Sequence, residues 1–371
     1  MCLAGSLWAS EGVQKIPGAT GDVLLNDGWD YYEQPAVEPG GLDGIAGRTV
    51  NLPHTWNSRD ATDAQPGYRR DASWYRKRLE IAPGDDARRY ILYFEGANMK
   101  ADVFVNGERA GGHVGGYLGF EVDITDFLND AGRDEILVRV DNGVDRDLIP
   151  SQKADYVMFG GLTRDVFLKV RPDVHVSSVQ IDTPRVAADS ADVLGKVFVN
   201  NASGEARDYR LTLDVLDERM QSVVTTRKEI SAEAGASAHD MPTLTIEDPA
   251  LWSTDAPRLY TLKVTLGAPD GSAIHETAET FGLRWYEFAE DGAFMLNGKR
   301  LLLRGTHRHE EHAGYGAAMP NELHVRDMEM MKEMGANFVR LGHYPQDPSV
   351  YWAADRLGLI LWDEVPWNRG G

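Results

Sequence analysis

Apolar and polar positions follow one rhythm through most of the chain and another at its end. From Asp22 to Arg171, short runs cluster or alternate apolar residues between Gly, Pro, Asn and Asp breaks. Arg89–Phe94, Ala101–Val105, Glu135–Val140 and Asp165–Val170 are the clearest strands. Asn106-Gly107 follows Val103-Phe104-Val105 and predicts a hairpin, because both turn residues tolerate positive φ. No long amphipathic pattern interrupts the stretch, so a β-sandwich of jelly-roll type is expected. Asp173 to Phe281 repeats the grammar. Val193–Asn200, Tyr209–Leu216 and Leu259–Leu266 alternate with period two, and no cysteine lies among them. An immunoglobulin-like sandwich without its disulfide suits that length and pattern.

After Phe281 the rhythm changes. A hairpin at Asn297-Gly298 leads to Leu301-Leu302-Leu303, an apolar run read as a strand buried on both faces. A helix is predicted over Glu322–Met334, with Leu323, Val325, Met328, Met331 and Met334 as its apolar face. Asn321 is its expected cap and Gly335 its stop. Asn337–Leu341 reads as a second strand. Asp347-Pro348 opens a second helix, Gly358 closes it, and Leu359–Trp362 makes a third strand. This β-α-β-α-β order predicts a parallel sheet with right-handed crossovers. Three such strands fall well short of a closed barrel, which takes eight strands and roughly 250 residues. The chain is therefore expected to be the front of a larger protein.

Composition narrows the function classes. The formal charge is 38 − 58 = −20 with no basic block, which argues against nucleic acid as a partner. Cys2 is the lone cysteine, so a disulfide framework or a cysteine-built metal site is excluded. No apolar run approaches the roughly 18 residues of a membrane span. Cys2–Ser10 (CLAGSLWAS) resembles the back half of a secretory signal but lacks its basic start. As a signal remnant it would imply a periplasmic or secreted protein; as a disordered tail, a cytoplasmic one. A homo-oligomer is compatible with the sequence.

In a parallel α/β unit the working groups gather where strands end. The first strand is followed by Arg304, His307, His309, Glu310, Glu311 and His312. The second leads to Arg340, His343 and Tyr344, and the third to Asp363 and Glu364. Any one histidine there is more often a structural residue than a catalyst, but polar groups at all three ends of one face are harder to assign to chance. His307-x-His309 resembles the metal pair of amidohydrolase barrels. That reading needs further ligands on later strands and leaves two leading β domains without a purpose.

A second resemblance covers nearly the whole chain. Asn337, Arg340, His343, Tyr344, Pro345, Asp355 and Gly358 match the signature of glycoside hydrolase family 2, the β-galactosidase and β-glucuronidase family. Leu341-Gly342 departs from the usual small polar pair, pointing to a subfamily. FMLNGKRLLLRG at 294–305, HEEH at 309–312 and AMP at 318–320 also resemble it. So do Val103–Gly107 with Gly115-Gly116-Tyr117 and Asp123-Ile124-Thr125, the Phe159–Val166 segment, and Leu251-Trp252-Ser253 with Pro257 and Leu259-Tyr260. After a leader or disordered tail at 1–21, the resemblance implies a jelly-roll sugar-binding domain at 22–172, an immunoglobulin-like β-sandwich at 173–282, and an incomplete (β/α)8 TIM barrel of three strands at 283–371.

It also implies retaining hydrolysis of a β-glycoside, with a carbohydrate substrate and two carboxyl groups about 5–5.5 Å apart. In the family the acid/base Glu follows an Asn at the fourth strand, and the nucleophile Glu ends the seventh. Asn321-Glu322 sits at a helix start and reads as a cap. Asp363 and Glu364 are adjacent on a strand and point to opposite faces, so they cannot flank one bond. One is expected to face the sugar and the other to anchor the barrel. No catalytic residue is assigned, and the chain alone is expected to be inactive. His343, Asp155, Asp363, His307, His309 and Arg340 are the expected substrate contacts, with Arg340 also suited to pairing with a barrel carboxylate. No cofactor is required; Mg or Ca is compatible, although no ligand set is visible. The stretch from RGTHRHEEH to AMP looks more like β-galactosidases than β-glucuronidases. The rival is a non-catalytic carbohydrate- or partner-binding protein with a vestigial barrel.

Overall fold

The computed structural model describes residues 13–17, 19–33, 38–60, 62–82, 87–150 and 154–367, so Cys2–Ser10 lies outside the described residues. Two sheets face each other in the first domain. The larger has the order Arg48–Val50, Trp29–Tyr32, Ala72–Ile81, Arg133–Asp141, Lys100–Val105, Glu108–Val114. The smaller has Phe120–Asp123, Arg88–Phe94, Val166–Pro172, Gly21–Leu24. Inward residues of both, among them Trp29, Tyr75, Leu92, Phe94, Val138 and Leu168, form one core. The predicted hairpin is present, with Asn106 at φ 52° and Gly107 at φ 86°. Val13–Ile16 departs from the leader or tail expected over 1–21. It pairs in parallel with Arg78–Ile81 and buries Ile16, because the edge of that strand is otherwise open.

The second domain is also a sandwich. Ser190–Asn201 shows why: Ala191, Val193, Val197 and Val199 all face inward at period two, as an antiparallel sheet solvated on one side requires. Its opposing sheet runs Ser222–Ala232, Arg207–Leu216, Tyr260–Gly267, Ala273–Phe281.

The last region has a short antiparallel hairpin sheet followed by three parallel strands, Gly305–Arg308, Phe338–Leu341 and Ile360–Trp362. Helices α1 (Asn321–Glu333) and α2 (Pro348–Leu357) cover one face. Met328, Val339, Leu341, Val350, Ala353, Ala354 and Leu359 form the core beneath them. The Asp347 carboxylate accepts from Ser349 N at α2's start, and Gly358 caps the other end in the left-handed region, both as predicted.

Three expectations are corrected. Leu301–Leu303 is not a strand: Leu302 is 72% exposed. The Asn337 side chain donates to Leu302 O and accepts from Arg304 N, which occupies backbone groups a ladder would use, so pairing starts at Gly305. Asn321 does not cap α1. It lies in the first turn and donates to Asp165 of the first domain at 3.0 Å. Met334 is exposed past the last turn, and buried His324 takes a place on the inner face.

The barrel region is tied to the second domain. Trp252 Nε1 donates to Asp355 O at 2.8 Å, and Lys332 Nζ donates to Thr254 O at 2.6 Å and to Gly358 O at 3.2 Å.

Candidate functional site

The parallel register pairs His307 with Arg340, and Arg340 with Trp362. Val339 and Leu341 point toward α1 and α2, so by alternation these three partners point to the uncovered face. His309 follows the first strand and His343 the second. The structure thereby gathers three imidazoles. Ring centroids lie 5.0 Å apart for His307–His309, 5.4 Å for His307–His343 and 5.2 Å for His309–His343. The room for His307 comes from Gly342. A Cβ there would fall 2.2 Å from Cε1 and 2.5 Å from Nε2 of that ring. The glycine that departs from the usual small polar pair thus has a local cause.

Glu364 anchors the cluster. Arg340 Nε donates to its Oε1 at 2.5 Å, and His343 Nδ1 lies 2.7 Å from its Oε2. A carboxylate only accepts, so Nδ1 of His343 carries a proton and donates to it. Arg340 also stands 3.4 Å from Nδ1 of His307 and 3.3 Å from Nδ1 of His343. Desolvation would raise the Glu364 carboxyl, but the hydrogen bonds from Arg340 and His343 outweigh it and hold the group below its usual range. Burial, then Arg340 and His343, lowers His307. Burial, then His307 and His343, brings His309 down to about 4. Both rings are neutral at pH 7 and can donate or accept.

The first domain closes one side. Tyr156 lies 5.5 Å from His309 and 6.0 Å from His343 by ring centroid. Tyr344 stacks on Tyr117 at 4.1 Å and joins Met99 and Met158 in a small apolar cluster. Asp155 is exposed beside Tyr156, and its charge opposes the downward shift of His309. Beneath this contact Arg164 meets Glu310 in a fork, Nε to Oε1 at 3.1 Å and Nη2 to Oε2 at 3.0 Å, each side chain only 3% exposed. Arg164 further donates to Tyr117 O at 3.1 Å and Pro345 O at 2.7 Å, while Glu310 accepts from Asp347 N at 2.8 Å.

Of the expected contacts, His307, His309, His343 and Arg340 come together, and Asp155 borders them. Asp363 does not join them: its Oδ2 accepts from Tyr351 OH of α2 at 2.6 Å. Glu364 holds the place facing the imidazoles, as strand alternation requires of one member of the pair. Tyr156 and Glu364 were absent from the expected contacts. Glu364 could have been found by asking which of two neighbours shares a face with Arg340. Tyr156 had no signal except its nearness to Asp155. Glu364 meets the cluster with both carboxylate oxygens engaged, one by Arg340 and the other by His343.

Family comparisons match the three domains in order along the chain. Residues 46–172 match the sugar binding domain of glycosyl hydrolases family 2, residues 174–284 match the family's middle model, and residues 289–369 match its TIM barrel domain. A Formosa agariphila protein provisionally named a β-glucuronidase is 49% identical over 94% of this chain and 41% of its own length. A Bacteroides fragilis β-glucuronidase is 34% identical, over 94% of this chain and 50% of its own length. A Parabacteroides merdae β-glucuronidase structure superposes with a TM-score of 0.86 over 95% of this chain and 46% of that one, at 36% identity. The chain spans about a third to half the length of the curated relatives it matches. Three family models in order along one chain, and a fold shared with solved members, place it in glycosyl hydrolase family 2.

Proposed function

We propose that the chain supplies the sugar-positioning side of a retaining β-glycosidase site, with β-glucuronides as the first substrate class to test and β-galactosides as the second. The supporting observation is the imidazole cluster on the uncovered strand face, bounded by Tyr156, with His307 and His309 held neutral by burial. Neutral rings exchange hydrogen bonds with sugar hydroxyls without a net charge to desolvate. The Tyr156 ring offers a flat apolar surface of the kind sugar C–H faces pack against. Glu364 is suited to orienting His343 rather than to protonating a leaving group, because a general acid needs a raised pKa and this carboxyl is lowered. The order of substrates follows the names of the two relatives at 49% and 34% identity; a Thermoanaerobacter pseudethanolicus β-galactosidase at 32% supports the second class.

The 371-residue chain is expected to bind methyl β-glucuronide weakly and to cleave neither an aryl β-glucuronide nor an aryl β-galactoside. Ligand-observed NMR with the parent and His309→Ala separates the outcomes. Loss of the sugar signal in the variant supports the reading. Equal signal in both, or no signal at tens of millimolar sugar, overturns the assigned surface. Turnover above buffer would overturn the role given to Glu364.

A further inference from the structure

We infer that His307, His309 and His343 form a binding site for a first-row divalent transition-metal ion such as Zn2+ or Co2+. Among the described residues these are the one group of three donor side chains close enough to share an ion, with one ligand atom from each lying within 4.8 Å of the others. The inference does not depend on whether the same face meets a sugar.

The donor chemistry selects the ion. Imidazole nitrogen suits Zn, Co, Ni and Cu, whereas Mg and Ca take carboxylate, carbonyl and water oxygens. The two ions compatible with the sequence therefore do not fit this cluster. His343 is arranged as metal-bound histidines usually are: its Nδ1–H donates to Glu364, which fixes the ring and leaves Nε2 as its other nitrogen donor.

Geometry sets the adjustment required. With Zn–N near 2.0–2.1 Å, tetrahedral donors lie about 3.3 Å apart, so no pair need close by more than about 1.5 Å. Side-chain rotation can supply that, because His307 is exposed and the other two are only partly buried. Arg340 opposes the ion. Its contacts at 3.3 and 3.4 Å are long, and its charge is already matched by Glu364, so it can remain on the carboxylate while the rings turn. The net charge of −20 favours a cation further. Three protein nitrogens leave a fourth position open to water, as in sites that exchange a ligand.

The test is calorimetric titration of the 371-residue Cys2→Ser chain with ZnCl2 at pH 7.5, repeated with CoCl2, MgCl2 and CaCl2. One equivalent of Zn2+ is expected, with no matching heat from Mg2+ or Ca2+. His307→Ala should weaken binding at least about tenfold, and Glu364→Gln by about 10–100-fold through loss of the ring's anchor. His239→Ala, remote in the second domain, should leave the isotherm unchanged. In parallel, Zn2+ should shift the imidazole resonances of all three cluster histidines in the parent, a readout that needs no variant to fold. Absence of a one-equivalent event overturns the site, as does an isotherm that His307→Ala leaves intact, or Zn2+ shifts confined to other histidines.

Discussion

Two Arg–Glu pairs lie close together at the barrel strand ends, and they differ mainly in burial. Arg164–Glu310 is sealed, with both side chains 3% exposed and every neighbouring hydrogen bond directed into protein. Arg340–Glu364 is open, with Arg340 44% exposed and Glu364 18%. The sealed pair comes from two domains and fastens one to the other. The open pair comes from adjacent strands, and its Glu364 also holds His343. Like chemistry thus serves as a latch where water is excluded and as a scaffold for the imidazole cluster where it is not.

The largest predicted effect breaks the latch. Glu310→Gln or Arg164→Met leaves one buried charge without its partner, and each should cost about 3–5 kcal/mol in urea unfolding. Together they should cost less than the sum of the singles, because no lone charge remains. A loss below about 1 kcal/mol in both singles would show that the pair is not sealed in solution. Next in size is Gly342→Ser. The added Cβ meets His307 at 2.2 Å, so the ring must swing away at a cost of about 1–3 kcal/mol, nearer the lower figure because that ring is exposed. Adding His307→Ala should recover the loss. If the double variant unfolds as readily as Gly342→Ser, crowding at the ring is not the cause.

Glu364→Gln removes a carboxylate from the open pair and should change stability by about 1 kcal/mol or less, the range of a solvated ion pair. The same unfolding measurement that finds several kcal/mol for Glu310→Gln checks it. Equal costs at the two glutamates would erase the distinction between latch and scaffold.

Much of this was legible in sequence because it is local. Period-two alternation in Ser190–Asn201, the Asn-Gly turns and the Asp347-Pro348 to Gly358 helix each depend on neighbours a few residues apart. The family motif likewise marked Arg340 and His343. What escaped depends on contacts between distant segments. Asn337 holds the backbone at Leu302 and Arg304 and delays the first barrel strand to Gly305. Arg164 and Glu310 are 146 positions apart, and no local pattern pairs them. Alternation established that Asp363 and Glu364 diverge, but the side each takes is decided by Tyr351 on α2 and Arg340 on the neighbouring strand.

The smallest predicted effect concerns protons. His54, His275 and His309 are each brought from 6.5 to about 4, first by burial and then by a neighbouring cation or imidazole. Between those values the unfolded chain binds more protons than the folded one, so the three histidines lower stability as pH falls from about 6.5 toward 4. Glu95 acts in the other direction. Burial, then Asp347 and Asp165, raises it to about 8, so its contribution is complete below about 4.5 and is lost as pH rises through 8. Acidification from pH 7 to 5 therefore costs stability at the histidines while recovering some at Glu95, and the net change should be modest. The local readout is cleaner. The Cε1 proton of His309 should titrate near 4, and it should move toward 6.5 in His307→Ala, where one repelling imidazole is gone and water reaches the ring. A parent midpoint above 6 would mean that His309 is solvated already, and the cluster would then be an open surface rather than a crowded, partly dry one.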